Sequence, residues 1–237
     1  MENEKVRLNK YLSEQGVCSR READRLTEQG KITVNGVPAV LGMKVSPDDS
    51  ITVNGRKIAH THVRPVLIAV NKPVGVVCTT AEFPGEYNIV EMVNYPTRIY
   101  PIGRLDKDSE GLILMTNQGE LVNDILKSSA DKEKEYKVRI QEVVTPEFIR
   151  RMQSGVYLPE LEVTTKPCRV RQTGVREFSI ILTQGLNRQI RRMCEELGCH
   201  VVSLRRVRIM NIRLGNIPSG HYRNVSESEF EEMVREF

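Results

Sequence analysis

The segment PIGRLDKDSEGLILMTNQGEL, residues 101–121, sets an acid among opposite charges. Arg104 lies two residues before Asp106 and Lys107 directly after it, Gly103 allows a tight turn just upstream, and Gly111 opens the apolar run Leu112 to Met115. A carboxylate between two cations is favoured in its charged form, and an ionised carboxylate can act as a nucleophile or a base. On physics alone an acid in such a loop is more often a turn residue or a surface ion pair, so the segment nominates Asp106 without fixing its role.

Positive charge is concentrated elsewhere. From Leu186 to Arg213 there are seven arginines against two acids, Glu195 and Glu196, whereas the whole chain carries only +4. A local excess of that size is the electrostatic footprint of phosphate contact. Residues 187–197 read as a helix with Ile190, Met193, Cys194 and Leu197 as its apolar stripe. Arg191 borders the stripe and can turn inward toward Asp106, while Arg188 and Arg192 lie four apart on one side. A solvated basic helix face is the plainer reading. Tyr136, in the strand-like KEYKV, is by itself a core aromatic, and Leu204 is read equally as a core leucine or a pocket wall.

The elements that must position these residues divide the chain. Arg7 to Gln15 has helical spacing and ends at Gly16. Ser19 and Glu22 form an S-x-x-E capping box for a second helix that ends at Gly30. Ile32 to Val34 and Ile51 to Val53 each precede Asn-Gly, the strongest short hairpin signal. The polar stretch His60 to Pro65 marks a boundary, giving domains at 1–62 and 63–237. Beyond it, strand-like runs at 66–70, 111–116, 135–140, 177–183 and 201–209 alternate with helices starting at Thr145-Pro146, near Asn187, and after Ser226 with its Glu229 capping partner. The pattern predicts an α+β architecture with a largely antiparallel, mixed sheet.

With 237 residues and 39% hydrophobic content the chain can bury a core. No apolar run reaches the roughly 20 residues of a membrane span, and a cytoplasmic location is the default expectation. The five scattered cysteines lack a CxxC pair and read as reduced thiols. Cys194, Cys199 and His200 are weighed as a metal cluster but fit packing beside a helix end better.

GRLDKDSEGL resembles the catalytic motif of the RsuA-type pseudouridine synthases, with Asp106 at the position of their required aspartate. KEYKV resembles the motif whose tyrosine, here Tyr136, sits against the target base, and GLNRQIRRMCEELG the motif whose arginine, here Arg191, pairs with the catalytic carboxylate. RLNKYLSEQGVCSRREADRLTEQGKITVNG is similar to the S4 RNA-binding domain that precedes these catalytic domains. Within the family, NKPVGVVCTT and YPIGRLDKDSEGLILMTNQGELVNDIL are most like the members that modify 23S ribosomal RNA.

The resemblance implies an isomerase that breaks the N1–C1′ bond of uridine, rotates the base and joins C5 to C1′. Nothing is oxidised and no phosphoryl group moves, so neither cofactor nor metal is implied. The base must be flipped into a pocket, at a cost of a few kcal/mol, and Tyr136 can stack on it. The resemblance implies RNA contacts at Arg104, Leu105, Lys107, Lys134, Leu186, Asn187, Arg188 and Gln189, with Leu204 walling the uracil pocket. In the first domain Ser19, Arg20, Arg21 and Lys31 cluster around the second helix, whose N-terminus offers backbone N–H groups to phosphate. The expected partner is structured RNA, most of all 23S rRNA, bound by a monomer with no membrane association. Two other readings stay open: the same enzyme acting on 16S rRNA, tRNA or a second RNA, and a noncatalytic RNA-binding protein that needs the basic residues but not Asp106.

Overall fold

The computed structural model describes residues 5–59, 64–81, 83–126 and 132–235. His60 and His62, expected in the boundary segment, lie outside the described residues. The chain divides into two compact units, one of residues 1–65 with 117–119 and one of 66–116 with 120–237.

In the first unit β1 (Val6–Arg7) leads into α1 (Leu8–Glu14), and α2 (Arg20–Glu28) follows. Ser19 caps α2 by accepting from the Glu22 N–H at 3.1 Å. The reciprocal half of the expected capping box is not formed, because the Glu22 carboxylate accepts from Arg25 at 2.6 and 2.8 Å. β2 (Ile32–Val34) turns into β3 (Val37–Pro38), and after β4 (Lys44–Val45) β5 (Ile51–Val53) turns into β6 (Arg56–Lys57). Both turns place asparagine and then glycine at positive φ, Asn35 and Asn54 at 51° and Gly36 and Gly55 at 81° and 76°, as a two-residue turn between twisted strands requires. Leu12, Ala23, Ile32 and Val45 are fully buried in this unit's core.

The second unit is built on a nine-stranded sheet. β7 (Leu67–Lys72), α3 (Ile89–Val93), β8 (Tyr100–Ile102), β9 (Glu110–Thr116) and α4 (Gly119–Leu126) make its first half. β10 (Lys134–Ile140) and α5 (Pro146–Ser154) follow, then the two-residue strands β11 (Tyr157–Leu158) and β12 (Val163–Thr164). β13 (Arg169–Gly174), β14 (Glu177–Leu182), α6 (Gln189–Glu196), β15 (Val201–Ile209), β16 (Ile212–Arg213), β17 (Tyr222–Asn224) and α7 (Glu227–Val234) complete it.

Its central order is β13-β14-β10-β15-β9-β7-β17, and β15–β9 is the parallel contact in an otherwise antiparallel set. The fold is therefore the mixed, largely antiparallel α+β type that the strand spacing predicts. Side chains alternate across a strand, and β9 uses both faces: Leu112 and Leu114 enter one apolar cluster, Ile113 and Met115 another. All four are fully buried, which is why this strand reads as an unbroken apolar run. Among the described residues no helix is long and apolar enough to cross a membrane.

Candidate active site

Asp106 lies on the loop between the antiparallel strands β8 and β9. Gly103 turns the chain out of β8 with a φ of 75°, and the Ser109 N–H donates to the Asp106 carbonyl at 3.0 Å to close a tight turn. Three distant segments then pin the loop's backbone. Gly75 N–H donates to Lys107 O at 2.7 Å, Arg191 Nη2 to Asp108 O at 2.8 Å, and Arg206 Nη1 to Arg104 O at 3.4 Å. With its backbone held from three sides, the loop presents the half-buried Asp106 side chain to a cavity of about 660 Å³.

That cavity gathers residues far apart in sequence. Arg104, Leu105 and Asp106 come from the loop, Lys134 and Tyr136 from β10, and Leu204 and Arg206 from β15. Leu186, Asn187, Arg188 and Gln189 line it from the segment that enters α6. Its lining carries six cationic side chains and a single carboxylate, Asp106, among the described residues. A concavity with that balance, lined by an aromatic and aliphatic side chains, suits a flat base attached to an anionic backbone.

Two expectations are corrected. Arg191 does not take Asp106 as its partner: besides Asp108 O, its Nη2 donates to Ser109 Oγ at 3.3 Å, and its Nε lies 3.4 Å from the Asp108 carboxylate. The reason is local geometry. Within the turn the side chains two residues apart diverge, so Asp106 opens on the cavity while Asp108 faces α6. Lys107, expected as an RNA contact, stands outside the cavity lining, where its ammonium donates to Glu86 at 2.7 and 2.9 Å on the surface. The helix also begins later than its pattern predicts, because Arg188 adopts a left-handed φ of 49° and α6 starts at Gln189.

Several charged groups in this region escaped the sequence reading: Lys132, Lys166 and Arg206 on the cavity itself, and Asp108 and Lys72 beside it. Asp108 also accepts from Arg188 at 3.0 to 3.2 Å. Burial alone would raise its pKa, but the Arg188 hydrogen bond and the charges of Arg191 and Arg188 hold it below the usual carboxylate range. Lys72 is fully buried, donating to Pro73 O and Val76 O at 2.8 Å each. Burial pushes its ammonium below the ordinary lysine range, against the opposing pull of Cys78, Asp106 and Asp108. Its signal in the sequence is a lone lysine closing the apolar strand LIAVNK.

In the first unit Arg20, Arg21 and Lys31 are exposed, with no side-chain partner among the described residues, whereas the Ser19 hydroxyl is occupied as the α2 cap. Of the cysteines, Cys194 is buried in the core and Cys199 sits beside it, while His200 turns away to Glu142 at 2.8 Å.

This fold and site are those of an RNA-modifying enzyme carrying a separate RNA-binding unit. Residues 66–196 match the family model for RNA pseudouridylate synthase and residues 6–51 the model for the S4 domain. The chain belongs to the RNA pseudouridine synthase family, of the RsuA type, and is an isomerase. It is 51% identical over 231 residues to the dual-specificity RNA pseudouridine synthase RluF of Escherichia coli strain K12, covering 97% of this chain and 79% of that protein. Ribosomal large subunit pseudouridine synthase B of Bacillus subtilis strain 168 is 34% identical, with 94% and 93% covered. A crystal structure of a pseudouridylate synthase superposes with a TM-score of 0.71 at 27% identity, covering 96% of this chain and 99% of that one.

Proposed function

We propose that the enzyme acts on a uridine of 23S ribosomal RNA, and on a second structured RNA, with Asp106 as the essential carboxylate. The observation that carries the reading is the Asp106 side chain, free of hydrogen-bonded partners among the described residues, on a loop pinned from three sides and open to the cationic cavity. An acid without a structural partner is available to react. Tyr136, on the same cavity, stacks on the everted base, worth roughly 1 to 3 kcal/mol, and Leu204 closes the apolar wall.

Arg104, Leu105, Lys134, Leu186, Asn187, Arg188 and Gln189 contact the flipped nucleotide and its flanking phosphates, while Lys107 is released from Glu86 to reach the RNA backbone. Arg191 acts indirectly, by holding the loop through Asp108 and Ser109. The large-subunit substrate is supported by the name of the B. subtilis relative and the second RNA by the dual specificity named for the E. coli one. A monomeric working unit is part of the same reading.

The test pairs the wild-type protein with Asp106→Ala on large-subunit rRNA transcripts, with pseudouridine mapped chemically. Turnover should fall by roughly 10³-fold or more, with RNA affinity unchanged within a few-fold. Residual turnover near wild type would remove Asp106 from the chemistry. Product found only in small-subunit RNA or tRNA would overturn the substrate.

A further inference from the structure

The cavity floor is a piece of sheet whose register is known. Tyr136 on β10 stands opposite Arg206 on β15, and Lys134 stands opposite Leu182 on β14. Lys134 and Tyr136 are two residues apart and share one face of β10, so the floor sets a tyrosine beside one cation on its own strand and another across the sheet.

Both cations lack the acid that such burial normally demands. Arg206 is 3% exposed; its Nε donates to Leu112 O at 2.6 Å and its Nη1 to Arg104 O, but its buried Nη2 has no partner among the described residues. Its guanidinium carbon lies 6.0 Å from the centre of the Tyr136 ring. The Lys134 ammonium, lining the cavity, has no hydrogen-bonded or ion-pair partner among the described residues either, and its sequence neighbours Glu133 and Glu135 accept from Arg208 at 2.9 and 3.0 Å. Burial first, then Arg206 and Lys132, push Lys134 below the ordinary lysine range. Arg104, Lys132, Lys166, Arg188 and Asp106 are the other charged groups on the same cavity.

We propose that Lys134 is a catalytic residue that stabilises negative charge on the uracil ring between bond breaking and bond making, and that Arg206 is the positioning residue behind Lys134 and Tyr136. The inference rests on the pseudouridine-forming role given to this cavity above. If Asp106 attacks C1′, the N1–C1′ electron pair moves onto the ring; if it attacks C6, the C5–C6 pair moves toward O4 and the N1–C1′ bond then breaks with its pair left on N1. In either route the ring is an anion only in the interval. C5 then bonds to C1′, the carboxylate is released, the C5 proton is lost and one proton is gained at N1. A fixed cation that acts only in that interval raises the rate at saturation rather than the affinity. A cation placed for a phosphate, which is anionic throughout, would do the reverse.

Single-turnover rates at saturating rRNA transcript, alongside the Kd for the same RNA, separate the two. Lys134→Gln should lose about 10²- to 10³-fold in rate with Kd moved less than about 3-fold, and Lys134→Arg should recover most of the loss. Because Lys134 must be protonated, the wild-type rate should fall at a lower pH than that of Lys134→Arg. Arg206→Gln removes a neighbouring positive charge and should shift that decline upward. Melting followed by circular dichroism confirms that each variant is folded. A Lys134→Gln enzyme of normal saturated rate, or one with weakened Kd alone, overturns this inference while leaving the enzyme assignment standing. A wild type that makes no product on the transcript overturns the substrate reading and this inference with it.

Discussion

Two aspartates stand two residues apart on one turn and do opposite things. Asp106 keeps its carboxylate uncommitted, while Asp108 spends both oxygens on Arg188 and Arg191. Arg191 is only 8% exposed, so its charge depends on Asp108 for neutralisation, and the loop depends on Arg191 for its position. Asp108→Asn should therefore lower kcat/KM by roughly 10- to 100-fold through misplacement of Asp106, with product still detectable. An Asp108→Asn enzyme of wild-type rate would show that the loop holds its shape without the pair. The pH dependence has a definite sign. The Asp108 pKa is depressed in the folded state, so its contribution to stability is complete above the ordinary carboxylate pKa of about 4 and is lost as pH falls through the lower folded value. Acid unfolding of the Asp108→Asn protein should be correspondingly less steep when followed by circular dichroism.

Among the elements, the parallel contact of β9 with β15 joins the two halves of the sheet under the site, and one glycine permits it. Gly111 has a φ of 105°, and a Cβ there would lie 2.2 Å from the backbone oxygen of Arg206. Gly111→Ala must therefore separate the strands, and about 3 kcal/mol or more of stability should be lost, combining backbone strain with a clash that cannot relax. Urea unfolding checks this, and a loss under about 1 kcal/mol would show that the pairing yields easily. α7 supplies a second test. Arg223 donates to both Glu229 oxygens at 2.7 Å, and that pair, against burial and with help from Ser226, holds the carboxyl down at about 2. A depressed pKa contributes stability above the ordinary glutamate value and loses it as pH falls from about 4 toward 2. The Glu229→Gln protein should lack that part of the acid transition. Signals within a few residues were legible: the Asn-Gly turns, the Ser226 to Glu229 capping box and the Pro146 start of α5 all form. What was not legible depends on pairings across the chain. Gly111 reads as a strand opening, but its necessity comes from Arg206, and Asp108 gives no sign that Arg191 will meet it. α3 is only five residues long, too short to show a period, and its Asn88 cap is seen only once folded.

Over the whole molecule, charge is divided between a unit that reacts and a unit that holds RNA. The net +4 of the chain hides this division, since ion pairs such as Arg208 with Glu133 and Glu135 neutralise many of the arginines. Arg20, Arg21 and Lys31 in the first unit have no such partners among the described residues and are exposed. If each displaces one counterion from a phosphate, replacing all three by alanine should flatten the plot of log K against log salt by about 2 to 3, at 0.7 to 0.9 per contact. Affinity for large-subunit rRNA should fall most at low salt. The single-turnover rate at saturating RNA should stay within about 2-fold of wild type, because association energy is lost and transition-state stabilisation is not. An unchanged salt slope would mean that the first unit does not meet the phosphates through this face. A slope that flattens together with a lost saturated rate would mean instead that these three residues also position the uridine for reaction.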